Sequence, residues 1–135
     1  MALFEFTVQG PPVSQQARRR ERVRDWQKSV RRAAATRWPK GRQPLQENLR
    51  ISIVYFCDDL PLDVDNIPKP IHDALSGLVF EDDSQIVQAV QGRFSLDEIP
   101  PTKDLPPVVS TALSLGGPFL YVGIQKPQEL TDFLQ

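Results

Sequence analysis

Two short acidic segments hold the side chains best suited to chemistry. The first is Asp63-Val64-Asp65-Asn66, followed by Lys69 and Asp73; the second is Asp82-Asp83-Ser84. In an extended segment, residues two apart project to the same side of the backbone, so Asp63 and Asp65 can present their carboxylates together. Asp82 and Asp83 precede an apolar run, where a neighbouring sheet position would bring them alongside. Carboxylates that converge without basic neighbours repel one another strongly. A hard divalent cation, Mg²⁺ or else Mn²⁺, relieves that repulsion, because it prefers carboxylate oxygens and keeps several waters. Beside a phosphodiester it also supplies Lewis acidity. Lys69 stands four residues after Asp65, about one helical turn away. There it can stabilise a phosphate in a transition state, assist a proton transfer or orient a carboxylate. Each segment also has a purely structural reading. Asp65 or Asn66 can cap a helix, Asp82-Asp83 can be an exposed turn, and Lys69 can be a solvated residue paired with Asp73.

The elements that would position these groups are legible in the pattern. Leu3–Gln9 is rich in β-formers and reads as a strand, stopped by Gly10-Pro11-Pro12. From about Ala17 to Arg37 the apolar residues Val23, Trp26, Val30, Ala33 and Ala34 fall within a single helical stripe, which predicts an amphipathic helix packed on a sheet. Its remaining surface carries Arg18, Arg19, Arg20, Arg22, Arg24, Lys28, Arg31 and Arg32. Leu49–Phe56 alternates and then becomes continuously apolar, as a central strand does. Pro68 and Pro70 fit only the first turn of a short helix, about Pro68 to Ser76, with Gly77 ending it and Ile71, Ala74, Leu75 and Leu78 facing inward. Gln85–Phe94 reads as a second core strand and Phe119–Ile124 as the last strand. Between them, residues 96–117 hold Pro100-Pro101 and Pro106-Pro107, which suggests a long loop or insertion; residues 127–135 read as a polar tail. The order β-α-β-α-β-β implies an α/β fold of α+β type: one domain over residues 1–126, with a mixed sheet of about four strands and helices packed against it.

Composition narrows the function classes. The net charge is −1, yet residues 1–50 hold twelve of the sixteen Lys and Arg and only four of the seventeen Asp and Glu, a net of +8, and the remainder carries −9. A basic half can hold a polyanion and an acidic half a metal; alternatively, the two halves neutralise each other across one fold. One cysteine, Cys57, allows no internal disulfide and no Cys-rich zinc site, and it reads as a small hydrophobe at a strand end. With His72 the only histidine, multi-histidine metal sites and catalytic triads are improbable. No apolar run reaches the ~18 residues of a membrane span, and Met1–Val8 lacks the features of a signal peptide. A reduced, cytoplasmic setting without membrane association is the simplest expectation.

Taken jointly, Asp63-x-Asp65-Asn66-x-x-Lys69-x-x-x-Asp73-Ala74-Leu75 followed by Asp82-Asp83-Ser84-Gln85-Ile86 resembles the signature of the RusA family of Holliday-junction resolvases. The likeness is close over residues 63–86 and extends weakly to Pro11-Pro12-x-Ser14 and the basic helix after it. It implies a homodimeric, Mg²⁺-dependent endonuclease that nicks paired strands of a four-way DNA junction and leaves 5′-phosphate and 3′-hydroxyl ends. By position, Asp63, Asp65 and Asp83 correspond to the essential acidic residues, Lys69 to the catalytically important lysine, and Asp82 to a flanking acidic position; Asp73 and Asn66 match motif positions of structural character. The metal set so implied is Asp63, Asp65, Asp82 and Asp83. The stretch Cys57-Asp58-Asp59-Leu60-Pro61-Leu62 is acidic and apolar where family members often carry basic residues, and Leu60 or Leu62 could instead wedge between unstacked bases. A different class of function, a catalytically inactive module of this type that binds branched nucleic acid or a protein partner, accounts for the same residues.

Overall fold

In the computed structural model, the described residues are 2–10, 20–58, 68–98 and 104–135. β1 (Phe4–Gln9), β2 (Leu49–Cys57), β3 (Ile86–Ser95) and β4 (Phe119–Gln125) form one sheet in the order β1-β4-β2-β3. β4 runs antiparallel to both β1 and β2, and β3 runs parallel to β2, so the sheet is mixed. The parallel step demands a crossover, and α2 (Pro68–Leu75) lies within it. α1 (Arg20–Arg37) joins β1 to β2.

One face of the sheet carries the larger core. Ile51, Ile53, Tyr55, Val122, Ile124 and Phe6 meet Trp26, Val30 and Ala34 of α1 and Ile71, Ala74 and Leu75 of α2. Each such side chain contributes about 1.5–3 kcal/mol by leaving water. The stripe predicted for α1 is the buried one, and Trp38 closes its end against Phe4, edge-on at 4.9 Å. β2 is interior, as its apolar run requires. α2 ends at Leu75, where Gly77 takes φ +84°, a left-handed geometry that glycine adopts without strain. Leu78 is only partly buried; Val79 and Phe80 are the fully buried residues after the helix.

Two expectations need correction. The stretch 96–117 is not an irregular loop throughout: Leu96–Glu98 forms a 3-10 turn and α3 (Pro107–Leu115) a full helix, which packs Val109 and Ala112 on Phe56 and Phe119 across the opposite face. The Pro106-Pro107 pair sits at the N-terminus, where a missing N–H costs nothing; residues 99–103, with Pro100-Pro101, lie outside the described set. Nor is β3 a core strand. It is an edge strand with no fully buried residue, and Val87, Val90 and Phe94 are exposed. Past β4, α4 (Leu130–Phe133) is a single exposed turn in what read as a tail, tethered by reciprocal hydrogen bonds between Gln88 and the backbone of Gln128. Among the described residues no helix is long and apolar enough to cross a membrane.

Candidate functional site

α2 buries Ile71, Ala74 and Leu75 and therefore turns Lys69 and Asp73 outward. Lys69 Nζ donates to Asp73 Oδ1 at 3.2 Å, with the two side chains 60% and 38% exposed. A pair this exposed is worth about 0.3–0.5 kcal/mol, too little to keep the ammonium from a phosphate.

After α2 the chain turns at Glu81–Gln85. The Asp82 carboxylate accepts the Ser84 amide at 3.1 Å, and Gln85 Oε1 accepts the amides of Glu81 and Asp82 at 2.8 and 3.0 Å. That is a capping box. Hydrogen bonds from Ser84 hold the Asp82 carboxyl below its ordinary value. Gln85 Nε2 donates to the carbonyls of Leu45 and Glu47, both at 2.8 Å, bolting the turn to the segment that enters β2. Asp82 thus does the structural work of the turn. The neighbouring Asp83 is exposed, and its carboxylate accepts no hydrogen bond among the described residues. Gln85 carries no charge and so stands outside any acidic pattern, although the spacing Asp82-x-x-Gln85 is itself a capping signature.

His72 lies where helix and turn meet. Burial holds its imidazole below the usual value; Asp83 and Asp73 draw it upward and Lys69 pushes it down. Lys69, Asp73 and Asp83 thus all lie within electrostatic reach of His72, whose Nε2 is buried without a partner among the described residues. Asp63 and Asp65 lie outside the described residues. Among those that are described, no three His, Cys, Asp or Glu side chains stand close enough to hold a metal ion. Asp82 and Asp83 supply only hard oxygen donors, a chemistry that fits Mg²⁺ or Mn²⁺. Cys57 is buried at the end of β2, its thiol 3.8 Å from the Phe94 carbonyl.

Arg20, Arg22, Arg24, Lys28 and Arg32 are exposed along α1 and form no ion pair among the described residues. Arg31 has a structural task instead: its Nη1 donates to the carbonyls of Ala74 and Ser76 at 3.1 and 3.0 Å, closing the C-terminus of α2. Arg18 and Arg19 lie outside the described residues. α1 and α2 pack side by side on one face of the sheet, so the cationic surface and the Lys69–Asp83 site share a side of the molecule.

The profile of the family described as Endodeoxyribonuclease RusA matches residues 7–103. No curated protein matches the chain. The matched span is well over half of the sequence and carries every element that presents a candidate site residue, from the end of β1 through β3. The chain belongs to the RusA family of endodeoxyribonucleases, the Holliday-junction resolvases.

Proposed function

We propose that this protein is a Mg²⁺-dependent, structure-selective endodeoxyribonuclease that resolves four-way DNA junctions by paired symmetric nicks, acting as a cytoplasmic homodimer in DNA recombination and repair. The observation that carries the reading is the exposed Asp83, presented by a turn bolted through Gln85 to the segment before β2, with Asp83 and Lys69 of α2 both within electrostatic reach of His72. Arg18, Arg19, Arg20, Arg22, Arg24, Lys28 and Arg32 would contact phosphates, which positions DNA without reading its sequence. Asp63, Asp65 and Asp83, flanked by Asp82, would hold the cation. When bound, that ion supplies Lewis acidity and neutralises charge on the scissile phosphate. Lys69 exchanges Asp73 for a phosphate oxygen and stabilises the negative charge that develops there.

Pairing of nicks calls for two sites related by a two-fold axis. The long edge of β3 offers a seat for a second copy. In its ten residues the only charge is Arg93 and there is no proline, so it lacks most of the devices that keep sheet edges apart.

Cleavage of a labelled synthetic four-way junction tests the proposal, with Mg²⁺ for nicking and EDTA for binding. Asp65→Asn and Asp83→Asn should each lower nicking by about a hundredfold or more, the scale of a lost charge contact of several kcal/mol. Junction binding should persist or tighten, because a negative charge near the phosphate is gone. Wild-type nicking by either variant removes that residue from the site, and tight binding with no nicking by the wild-type protein identifies a catalytically inactive module.

A further inference from the structure

A second cationic site lies on the opposite face of the sheet. Leu49 and Ile51 point into the α1–α2 core, so Arg50 between them projects to the other side. It stands in register with Gln125 of β4 and Gln88 of β3. α3 covers this face only toward Phe56 and Phe119 and leaves the Arg50 end open. There a cavity of about 610 Å³ is lined by Ala2, Leu3, Arg50, Gln125, Lys126 and Gln128. Both charged residues in its wall are cations, and neither forms an ion pair among the described residues. Arg50 Nε is sealed from solvent and donates to nothing among the described residues, whereas nearly all buried donors in folded proteins are paired. The wall is held in place: Gln125 Oε1 accepts from Ser52 at 3.2 Å, and Gln128 is clamped by Gln88 at 2.7 and 2.9 Å.

We infer that this cavity binds a phosphate group carried on a nucleotide unit. A guanidinium presents parallel N–H donors that match phosphate oxygens, and the adjacent lysine adds a point charge. The volume falls within the ~300–1,000 Å³ of small-ligand sites, and Ala2 and Leu3 give an apolar side for a sugar or base. A free nucleotide and a DNA strand reaching the far face offer the same chemistry. The site shares no residue with the Lys69–Asp83 site and needs no divalent ion, so its test in EDTA stands apart from the nuclease proposal.

The test follows the Nε–Hε resonance of Arg50 by heteronuclear NMR in the isotope-labelled full chain. Inorganic phosphate, 5′-dAMP and a short single-stranded oligonucleotide are titrated in turn against sodium chloride of equal ionic strength. A saturable shift with inorganic phosphate is expected. Lys126→Gln, past the end of β4 and outside the core, should weaken it about fivefold to tenfold, as loss of one phosphate-facing cation does, while the amide spectrum keeps its folded dispersion. Arg50→Lys should retain weaker binding, detected through the Lys126 and Gln128 amides. Tighter binding of 5′-dAMP than of the oligonucleotide assigns the site to free nucleotide, and the reverse order assigns it to a DNA strand. No saturable shift with any probe, or the same movement with chloride, overturns the inference.

Discussion

Tyr121 donates its hydroxyl to Glu5 Oε1 at 2.8 Å, across the β1–β4 pair. Its ring also lies over Gly123: a Cβ added there would stand 2.6 Å from the Tyr121 oxygen and 2.9 Å from Gln125 Nε2, so a larger residue at this position must displace those side chains. Burial first, and then the bond to Glu5, push the phenol far above its ordinary 10.0. The unfolded chain ionises near pH ~10 while the folded phenol stays protonated, so the unfolded state binds fewer protons there. Stability should therefore be fully present below pH ~10 and fall as pH rises beyond it. Thermal unfolding midpoints followed from neutral to strongly alkaline pH should show that decline, and Tyr121→Phe should make it shallower, the remainder falling to Tyr55, whose phenol is also raised by burial. A decline unchanged in Tyr121→Phe would assign it wholly to another group. The same scale separates Asp82 from Asp83. They are adjacent in sequence, yet one carboxylate caps a turn and the other stands open to solvent.

The Glu81–Gln85 turn is held by two side chains, Asp82 within it and Gln85, which also ties it to the rest of the fold. Gln85 makes two acceptor contacts inside the turn and donates twice to the segment before β2. Gln85→Ala removes all four. Because the site is largely exposed, the cost in urea unfolding should be about 1–2 kcal/mol. Nicking should fall by more than that stability loss accounts for, since Asp83 would lose its fixed position. Equal nicking by the variant would mean that the turn does not position the carboxylate. α1 makes a separate prediction. Its apolar stripe is consumed by the core, and Arg31 by the carbonyls of α2, which leaves Arg20, Arg24 and Lys28 among the cations facing solvent. Replacing those three with glutamine should lower the slope of log affinity for the junction against log salt by about three per subunit, about five for the proposed dimer. An unchanged slope would place the DNA path elsewhere.

At the scale of the whole molecule, the sheet is covered unevenly. α1 and α2 cover one face, α3 covers part of the other, and the outer edge of β3 has no partner strand among the described residues. A two-fold copy seated there would extend the sheet with antiparallel β3 strands and leave both cationic α1 helices on one side. The two acidic turns would then stand at opposite ends of the paired strands, roughly 30 Å apart for ten residues at the usual rise. Val87→Lys together with Val90→Lys places charge on exposed positions of that edge. Sedimentation should then report 15.3 kDa for the variant and twice that for the wild type, with paired nicking reduced to independent single nicks. A variant that still sediments as a dimer would move the interface off β3.

Much of the fold is legible along the chain because local rules govern it. The stripe of Val23, Trp26, Val30 and Ala34, the paired prolines that open α2, the glycine that closes it and the apolar run of β2 each follow from the period or backbone chemistry of a few adjacent residues. The motif of residues 63–86 pointed to the family for the same reason, and the family match over residues 7–103 agrees. Other features arise only from chain packing. Nothing in Ile86–Ser95 distinguishes an edge strand from a core one, because that depends on which strands pair. No local pattern brings Gln85 to Leu45 and Glu47 or Arg50 to the same cavity as Lys126, because each pair meets only when the sheet closes. Local spacing therefore sufficed for most of the elements and, with the family match, for the class of enzyme. Only the tertiary structure decided which groups face one another, since side-chain proximity across the sheet is a property of topology and not of spacing along the chain.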